Sequence, residues 1–400
     1  MAGGTGLRVG IVGGSLGGAI TALQLRDVGC DVHVFERSPE PLRSRGAGIV
    51  LHPVTTRFLE EHRLLDLDRV SSSARVLRYL TREGDVLLEE PIFYRFTSYA
   101  TLHAALVRFL EPERYHLRSG CIGLDQDADG VAMRIADGRV ERFDLVVGAD
   151  GIHSSVRGWL FPDVAPAYAR YVAWRGTMDE AALPASAGAL LGALTYFVGD
   201  RTHALSYAIP AADAEDRRHL NWVWYRNVPE GPTLDDLLTD GAGVRHDMSL
   251  AAGQVRAQHV DRLRRAAAGE LPPPFNEAVG ASAEPFVQVV VDIAVPRMAV
   301  GRVCLVGDAA FALRPHIAAG TAKAAEDART LAVALARTDG DVPSALAAWE
   351  PVQLELGRRT LARTRDVGDR VQRTGTFRPG DPEVAFGLFE PGDQSFPATS

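Results

Sequence analysis

Gly13-Gly14-Ser15-Leu16-Gly17-Gly18 follows a short apolar run (Val9, Ile11, Val12) and opens a stretch of helical spacing. Such a turn suits a dinucleotide. Gly13 permits the tight turn, a small residue at position 15 (Ser15 where G-x-G-x-x-G has its second Gly) lets backbone N–H groups approach a pyrophosphate, and Gly18 lets helix and strand pack closely. Leu16 then begins the helix whose N-terminus attracts the anion. Glu36 stands 23 positions after Gly13, at the end of a run alternating through Val32 and Val34. A carboxylate there accepts hydrogen bonds from ribose hydroxyls and disfavours a 2′-phosphate.

Two more apolar runs end in acids. Asp144–Val147 leads to Gly148-Ala149-Asp150-Gly151, then Ser154-Ser155-Val156-Arg157; Arg302–Val306 leads to Gly307-Asp308-Ala309-Ala310. Taken singly, either Asp is more often a turn residue at a strand end. Beyond the second lies Arg314-Pro315-His316-Ile317-Ala318-Ala319-Gly320, before a helical stretch carrying Glu326 and Asp327. In that loop stands His316, an imidazole that can act as a base or as a hydrogen-bond partner.

The elements needed to hold these residues are legible. Leu7–Val12, Ala19–Val28 and Asp31–Glu36 read as a βαβ unit, with parallel strands and a right-handed crossover. Helical spacing covers Pro53–Leu65, Leu102–Leu110, Gly320–Arg337 and Ser344–Arg370, and strands are expected at Gly130–Ile135, Phe143–Val147, Tyr171–Gly176, Ala204–Ile209, Leu220–Val228, Val287–Val291 and Val303–Val306. Pro272–Pro274 reads as a loop and the segment after Phe377 as irregular. On the Leu220–Val228 strand, alternation puts Trp222 and Trp224 on one face and Asn221, Val223 and Tyr225 on the other.

Composition narrows the class. The 400 residues, 46% hydrophobic and 24% charged, describe a globular chain of two or three domains, and a net charge of -8 argues against a general nucleic-acid binder. Cys30, Cys121 and Cys304 are scattered, with no CxxC, so neither a disulfide framework nor a metal site is expected; buried packing is their plainest reading. The longest apolar run, Ala187–Val198, falls short of the roughly 20 residues a membrane span needs. The first residues lack the charged and apolar regions of a signal peptide, which makes the cytoplasm the expected compartment.

The Gly-rich turn, the Asp150-Gly151 segment and the Gly307-Asp308 segment, in that order, resemble the single-component flavoprotein aromatic hydroxylases, the family of p-hydroxybenzoate hydroxylase. Arg95-Phe-Thr-Ser-Tyr99, Tyr171–Gly176, Leu220–Val228, Arg314–Ala324 and Ala385–Leu388 narrow the likeness to the dihydroxypyridine-hydroxylating branch. The resemblance implies an α/β fold: a discontinuous Rossmann-like FAD domain (1–75, 100–165 and 285–345), an inserted mixed-sheet substrate domain (76–99 and 166–284), and a C-terminal helix and tail (346–400). It implies non-covalent FAD held by Gly13, Ser15, Leu16, Gly18, Glu36, Arg37, Gly48, Ile49, Cys121, Asp150 and Asp308. Ala318, Ala319 and Gly320 would turn helix-start amides toward the electron-rich edge of reduced flavin, a placement worth about 0.3–2 kcal/mol.

The implied activity is hydroxylation of a small electron-rich ring, phenolic or hydroxypyridine, with transiently docked NADH or NADPH and O2, through oxygen addition at flavin C4a. His316 and Pro315 are the catalytic candidates, Tyr196, Trp222, Tyr225 and Arg175 the pocket candidates, and Arg43 and Arg45 candidates to meet the nicotinamide donor. A homodimer is a family-level expectation; neither a nucleic-acid nor a membrane partner is expected. Four departures from the wider family stand out: Phe311 for a His, Ala318-Ala319-Gly320 for Gly-Gln-Gly, Ala322 for an Asn, and Tyr99 near the place of an Arg that touches the flavin. Two other readings stay open, a flavin oxidase or dehydrogenase without oxygen insertion and a non-catalytic FAD-binding scaffold.

Overall fold

The computed structural model describes residues 5–40, 42, 48–211 and 217–390. Arg8–Val12 and Asp31–Phe35 lie side by side in parallel, joined by the helix Leu16–Asp27. Gly29 (φ +84°) follows the helix end in the left-handed conformation that glycine reaches without a Cβ clash. Leu145–Gly148 pairs with the other edge of Arg8–Val12, and Val303–Leu305 pairs with Leu145–Gly148, both in parallel. With Tyr115–His116 beyond Asp31–Phe35 and Ala299–Val300 at the opposite edge, these make a six-stranded sheet. Its central strands are almost wholly apolar because they are covered by helices and by the small sheet that carries Val131, Met133, Ile135 and Phe143. The consequence is positional. The loops after residues 12, 148 and 305 all leave the carboxyl ends of three adjacent strands, where open parallel sheets bind ligands.

The second sheet has nine strands, ordered Ser249–Leu250, Phe286–Asp292, Ala167–Asp179, Arg218–Asn227, Thr202–Pro210, Leu194–Gly199, Ser72–Leu80, Val86–Ser98, Gly48–Leu51. Alternation along Arg218–Asn227 divides its side chains as expected. Trp222 and Trp224 join Trp174 under the helices Ala257–Glu270 and Pro273–Ala281, while Val223 and Tyr225 pack with Tyr171 and Tyr207 on the opposite face.

Some elements differ from their sequence reading. Pro272–Pro274 begins a helix, not a loop: Pro273 occupies the first turn, where a missing N–H costs nothing. Phe143–Val147 divides between two sheets, Val140–Phe143 pairing with Val131–Ile135 and Leu145–Gly148 joining the parallel sheet. Asp144 marks the break, its carboxylate accepting the Arg8 amide at 2.7 Å. Gly48–Leu51 pairs with Val86–Ser98, so it and all of Ser72–Leu80 sit in the second sheet despite the division placed at residue 75. Alternation reports which face is buried and does not report which distant strand supplies the partner. The closing helices, Gly320–Arg337 and Val342–Asp369, lie where spacing put them. Among the described residues no helix is long and apolar enough to cross a membrane.

Candidate active site

The Gly-rich turn packs directly on the Asp150 loop. A Cβ on Gly13 would come within 2.6 Å of the Ala149 carbonyl oxygen, and one on Gly18 within 1.9 Å of the Gly13 oxygen. Glu36, 6% exposed, accepts from Gly14 N–H on one oxygen and Ser38 N–H on the other, each at 2.8 Å. A carboxylate oxygen takes two donors, so one site on each is left for a ligand hydroxyl. Ser15 Oγ pairs with the Tyr99 hydroxyl at 2.7 Å, which joins the serine variation of the turn to the tyrosine found near an arginine's place. Leu16 is buried, and what it offers the crevice is a first-turn amide without an intrahelical partner.

At the far end of the crevice, Ser119 N–H donates to the Glu36 carbonyl at 2.9 Å, and a Cβ on Gly120 would lie 3.2 Å from Arg37 Cβ. Arg37 and Cys121 therefore border the same end. The Cys121 thiol is buried against the Gly123 carbonyl, and burial pushes its pKa up to about 11. Its side chain packs, so only its backbone is on offer.

Asp150 is occupied within its own loop, accepting from Ser154 Oγ, Ser155 N–H (2.7 Å) and Ser155 Oγ (3.0 Å) at the start of the helix Ser155–Leu160. The residue that links this loop to the third one is Arg157. Its buried guanidinium donates to the carbonyls of Ile152 (2.6 Å) and Ala309 (3.1 Å). Surrounding protein pushes Asp308 up to about 6, with Arg157 opposing. The Asp308 side chain nonetheless opens into the crevice, so water screens that shift until a ligand fills the space. Beneath it, Gly307 N–H donates to Asp327 at 3.0 Å, and Asp327 pairs with Lys323, the two side chains 0% and 1% exposed. FAD suits this crevice: free helix-start amides for its pyrophosphate, the spare acceptor sites of Glu36, and an open carboxylate at Asp308.

From Asp308 the chain leads to a second space. A Cβ on Gly320 would lie 4.0 Å from Asp308 Oδ1, and four residues earlier His316 lines a cavity of about 390 Å³. Between them Ala318 adopts a left-handed conformation (φ +54°), its N–H bonded to the Pro315 carbonyl and its own carbonyl accepting from His52 Nε2, both at 3.0 Å. The expected free amide at Ala318 is thus already used, because the 3-10 turn Pro315–Ile317 closes on it. Ala319 is fully buried, and the open amides belong to the helix beginning at Gly320. His52 donates as a neutral ring, burial lowering it to about 4.

Tyr79, Tyr94, Tyr196, His203, His316 and Phe386 are among the cavity's polar and aromatic walls. Tyr171 meets His316 Nε2 at 2.7 Å, and His203 stacks on Tyr225 at 4.5 Å between ring centroids. Burial keeps these rings uncharged, pushing Tyr79 up to about 12 and His203 down to about 3. Of the pocket candidates, Tyr196 is in the wall and Tyr225 stands directly behind it, 5.0 Å from His316. Arg175 lies on the same sheet face, beside Tyr207 and Tyr225 but outside the cavity wall.

Trp222 is a correction. It faces the other way, 0% exposed, with Nε1 donating to Ser282 Oγ at 2.8 Å, because its strand buries both faces and helices cover the tryptophan side. Trp222→Phe should therefore cost stability, about 1 kcal/mol for the lost hydrogen bond, and leave ring affinity unchanged in a titration; weakened ring binding would return Trp222 to the pocket.

Gly48 closes the join between crevice and sheet. Its N–H donates to Asn221 Oδ1 at 3.1 Å, and a Cβ there would strike Tyr207 at 2.6 Å. Ile49 packs against the apolar cluster that includes Leu16. Arg43 and Arg45 lie outside the described residues. Sequence reasoning missed His203, His52, Tyr79 and Tyr94. For His203 a signal existed, since it alternates with Leu205 and Tyr207 on one strand face; nothing local marked the others.

Residues 168–292 match a family model described as FAD binding domain-like, and residues 288–346 one described as FAD binding domain. The chain is 40% identical over 389 residues to 2,6-dihydroxypyridine 3-monooxygenase of Paenarthrobacter nicotinovorans, covering 95% of this chain and 96% of that one. It is 27% identical to the 3-amino-4-hydroxybenzoate 2-monooxygenase PtmB3 of Streptomyces platensis, covering 90% and 87%. The solved structure of 2,6-dihydroxypyridine-3-hydroxylase from Arthrobacter nicotinovorans superposes with a TM-score of 0.91 at 39% identity, over 97% of this chain and 99% of that one.

Proposed function

This chain belongs to the FAD-dependent aromatic-ring monooxygenases, and from that membership we propose that its cavity hydroxylates a small hydroxypyridine or phenol bearing no carboxylate. FAD, reduced by NAD(P)H, supplies the activation of O2. The protein's part is to hold the ring, exclude water and steer its polar groups.

One observation carries the substrate class. Among the described residues lining the cavity there is no Lys or Arg, and the charged lining residues are Glu90 and Asp381, the latter paired with Arg370. A ring carboxylate entering here would lose its water without gaining a cation, and burying an unpaired charge is strongly unfavourable. Ring hydroxyls and a ring nitrogen instead meet tyrosine hydroxyls and neutral imidazoles. The helix Val342–Asp369 and the segment after it wall one side of the space with Val367, Val371 and Phe377. His316 and Pro315 begin the loop that continues to Gly320 beside Asp308, which sets the cavity against the FAD crevice. The same reading has the enzyme working in the cytoplasm, as a homodimer, on a free small molecule.

Purified protein should be yellow, and 2,6-dihydroxypyridine or a related carboxylate-free ring should accelerate NADH or NADPH oxidation. Label from isotopic O2 should appear in the product, and carboxylated analogues should be at least tenfold poorer by kcat/KM. Equal turnover of a hydroxybenzoate, or a product free of label, would overturn the proposal.

A further inference from the structure

His316 is 6% exposed, lines the cavity, and has one ring nitrogen, Nδ1, without a partner among the described residues. A buried polar atom without a partner, on a side chain in a cavity wall, marks a place where a ligand atom belongs. Whether that nitrogen offers a proton or a lone pair is set at the other side of the ring. Tyr171 OH and His316 Nε2 lie 2.7 Å apart, and either could supply the hydrogen.

The surroundings decide the direction. Behind Tyr171 stands Arg314, its Cζ 5.8 Å from the tyrosine ring centroid. Arg314 is itself fixed, with Nε and Nη2 bound to Asp292 at 2.9–3.2 Å and Nη1 bound to Asp369 at 2.9 Å. Guanidinium has five N–H groups and cannot accept. A cation at this place polarises the hydroxyl, drawing the oxygen's lone pairs toward itself and turning the O–H toward the imidazole. Burial raises the pKa of that hydroxyl, with Tyr225 and Asp292 adding to the rise, and the charge and hydrogen-bonding of Arg314 oppose it. There is no room for a third partner to reverse the arrangement. Helix Val342–Asp369 passes so close that a Cβ on Gly368 would lie 2.8 Å from the Tyr171 oxygen and 3.0 Å from His316 Nε2.

We propose that Tyr171 donates to His316 Nε2 and thereby fixes the imidazole as its Nδ1–H tautomer, so that His316 meets the substrate as a hydrogen-bond donor and not as the base that its position in the loop suggested. Tyr171 is the positioning residue, held by Arg314. The group recognised is a ring oxygen in carbonyl form, which accepts and has no proton to give. The inference rests on the ring-hydroxylating reading for its ligand, and on this chain's own side chains for the tautomer.

Two measurements test it in the FAD-loaded enzyme. In protein labelled with 15N at histidine, ring proton–nitrogen correlations, with His316 assigned by its disappearance in His316→Asn, should show Nδ1 protonated and Nε2 bare. Tyr171→Phe should abolish that pattern. A protonated Nε2 in the wild type overturns the proposal, whatever the substrate proves to be. The second measurement is affinity for 2,6-dihydroxypyridine, read from the flavin spectrum. His316→Asn keeps an N–H near the Nδ1 position and cannot act as a base, so it should bind within about threefold of wild type, whereas His316→Leu should lose roughly tenfold or more. Equal losses in both variants overturn the donor role. Should the wild type bind no ring at all, the hydroxypyridine reading fails while the tautomer measurement still decides the inference.

Discussion

Replacing Lys323 by Met should lower the free energy of unfolding by about 3–5 kcal/mol, the usual result of removing one partner of a buried ion pair. Lys323 and Asp327 are one helical turn apart and almost wholly enclosed. Methionine fills similar space, so the loss is electrostatic: Asp327 is left as an unpaired carboxylate with, among the described residues, only the Gly307 amide as a donor. Burial already raises the Asp327 pKa, with Lys323 opposing, and removal of the lysine raises it further. The sign of the pH dependence follows. A carboxyl whose folded-state pKa lies above its unfolded value favours folding when protonated, so the variant should recover part of the loss as pH falls through that raised pKa and lose it again as pH rises. Urea melts at several pH values measure this directly. A loss below about 1 kcal/mol at neutral pH would mean that the pair is not sealed from water.

The second large effect should come from Arg157. Arg157→Met removes charge-assisted hydrogen bonds to Ile152 and Ala309, which tie the second crevice loop to the third. Such bonds contribute roughly 1.5–3 kcal/mol each, and part of their loss should appear as weaker cofactor binding because the two loops need no longer hold their spacing. FAD affinity should fall at least thirtyfold, so that the protein emerges colourless from gel filtration and regains colour only with excess FAD. Arg157→Lys should not rescue it, since one ammonium cannot reproduce a planar fork reaching two carbonyls. An apoprotein melting temperature close to wild type would show that the loops and not the whole fold are affected. Retention of FAD at wild-type affinity would refute the linking role.

The cofactor crevice was readable in advance because its determinants are local. Gly13, Gly18 and Glu36 each answer to a constraint within one βα turn or at the next strand end, and the two Asp-bearing loops each follow an apolar run. Their convergence required only that three parallel strands be neighbours. The cavity was different. Its walls come from Tyr79 and Tyr94 on one hairpin, Tyr196 and His203 on another, His316 on a loop, and the segment beyond the last long helix. No spacing in the chain links those positions, since strand partners are chosen by burial over long separations. Trp222 and Tyr225 show the limit well: alternation separated them correctly, but the helices that claimed the tryptophan face are encoded elsewhere, one of them behind prolines that read as a loop.

The sequence by itself determined the parallel sheet, the grip on a dinucleotide and the family, because these depend on backbone conformation and small-residue packing at adjacent positions. Only the tertiary structure decided which aromatic rings face the cavity, that among the described lining residues there is no Lys or Arg, and that Arg314 and Gly368 close on Tyr171 and His316. Those are matters of local dielectric and of which groups exclude water from one another, and both arise when distant segments pack together.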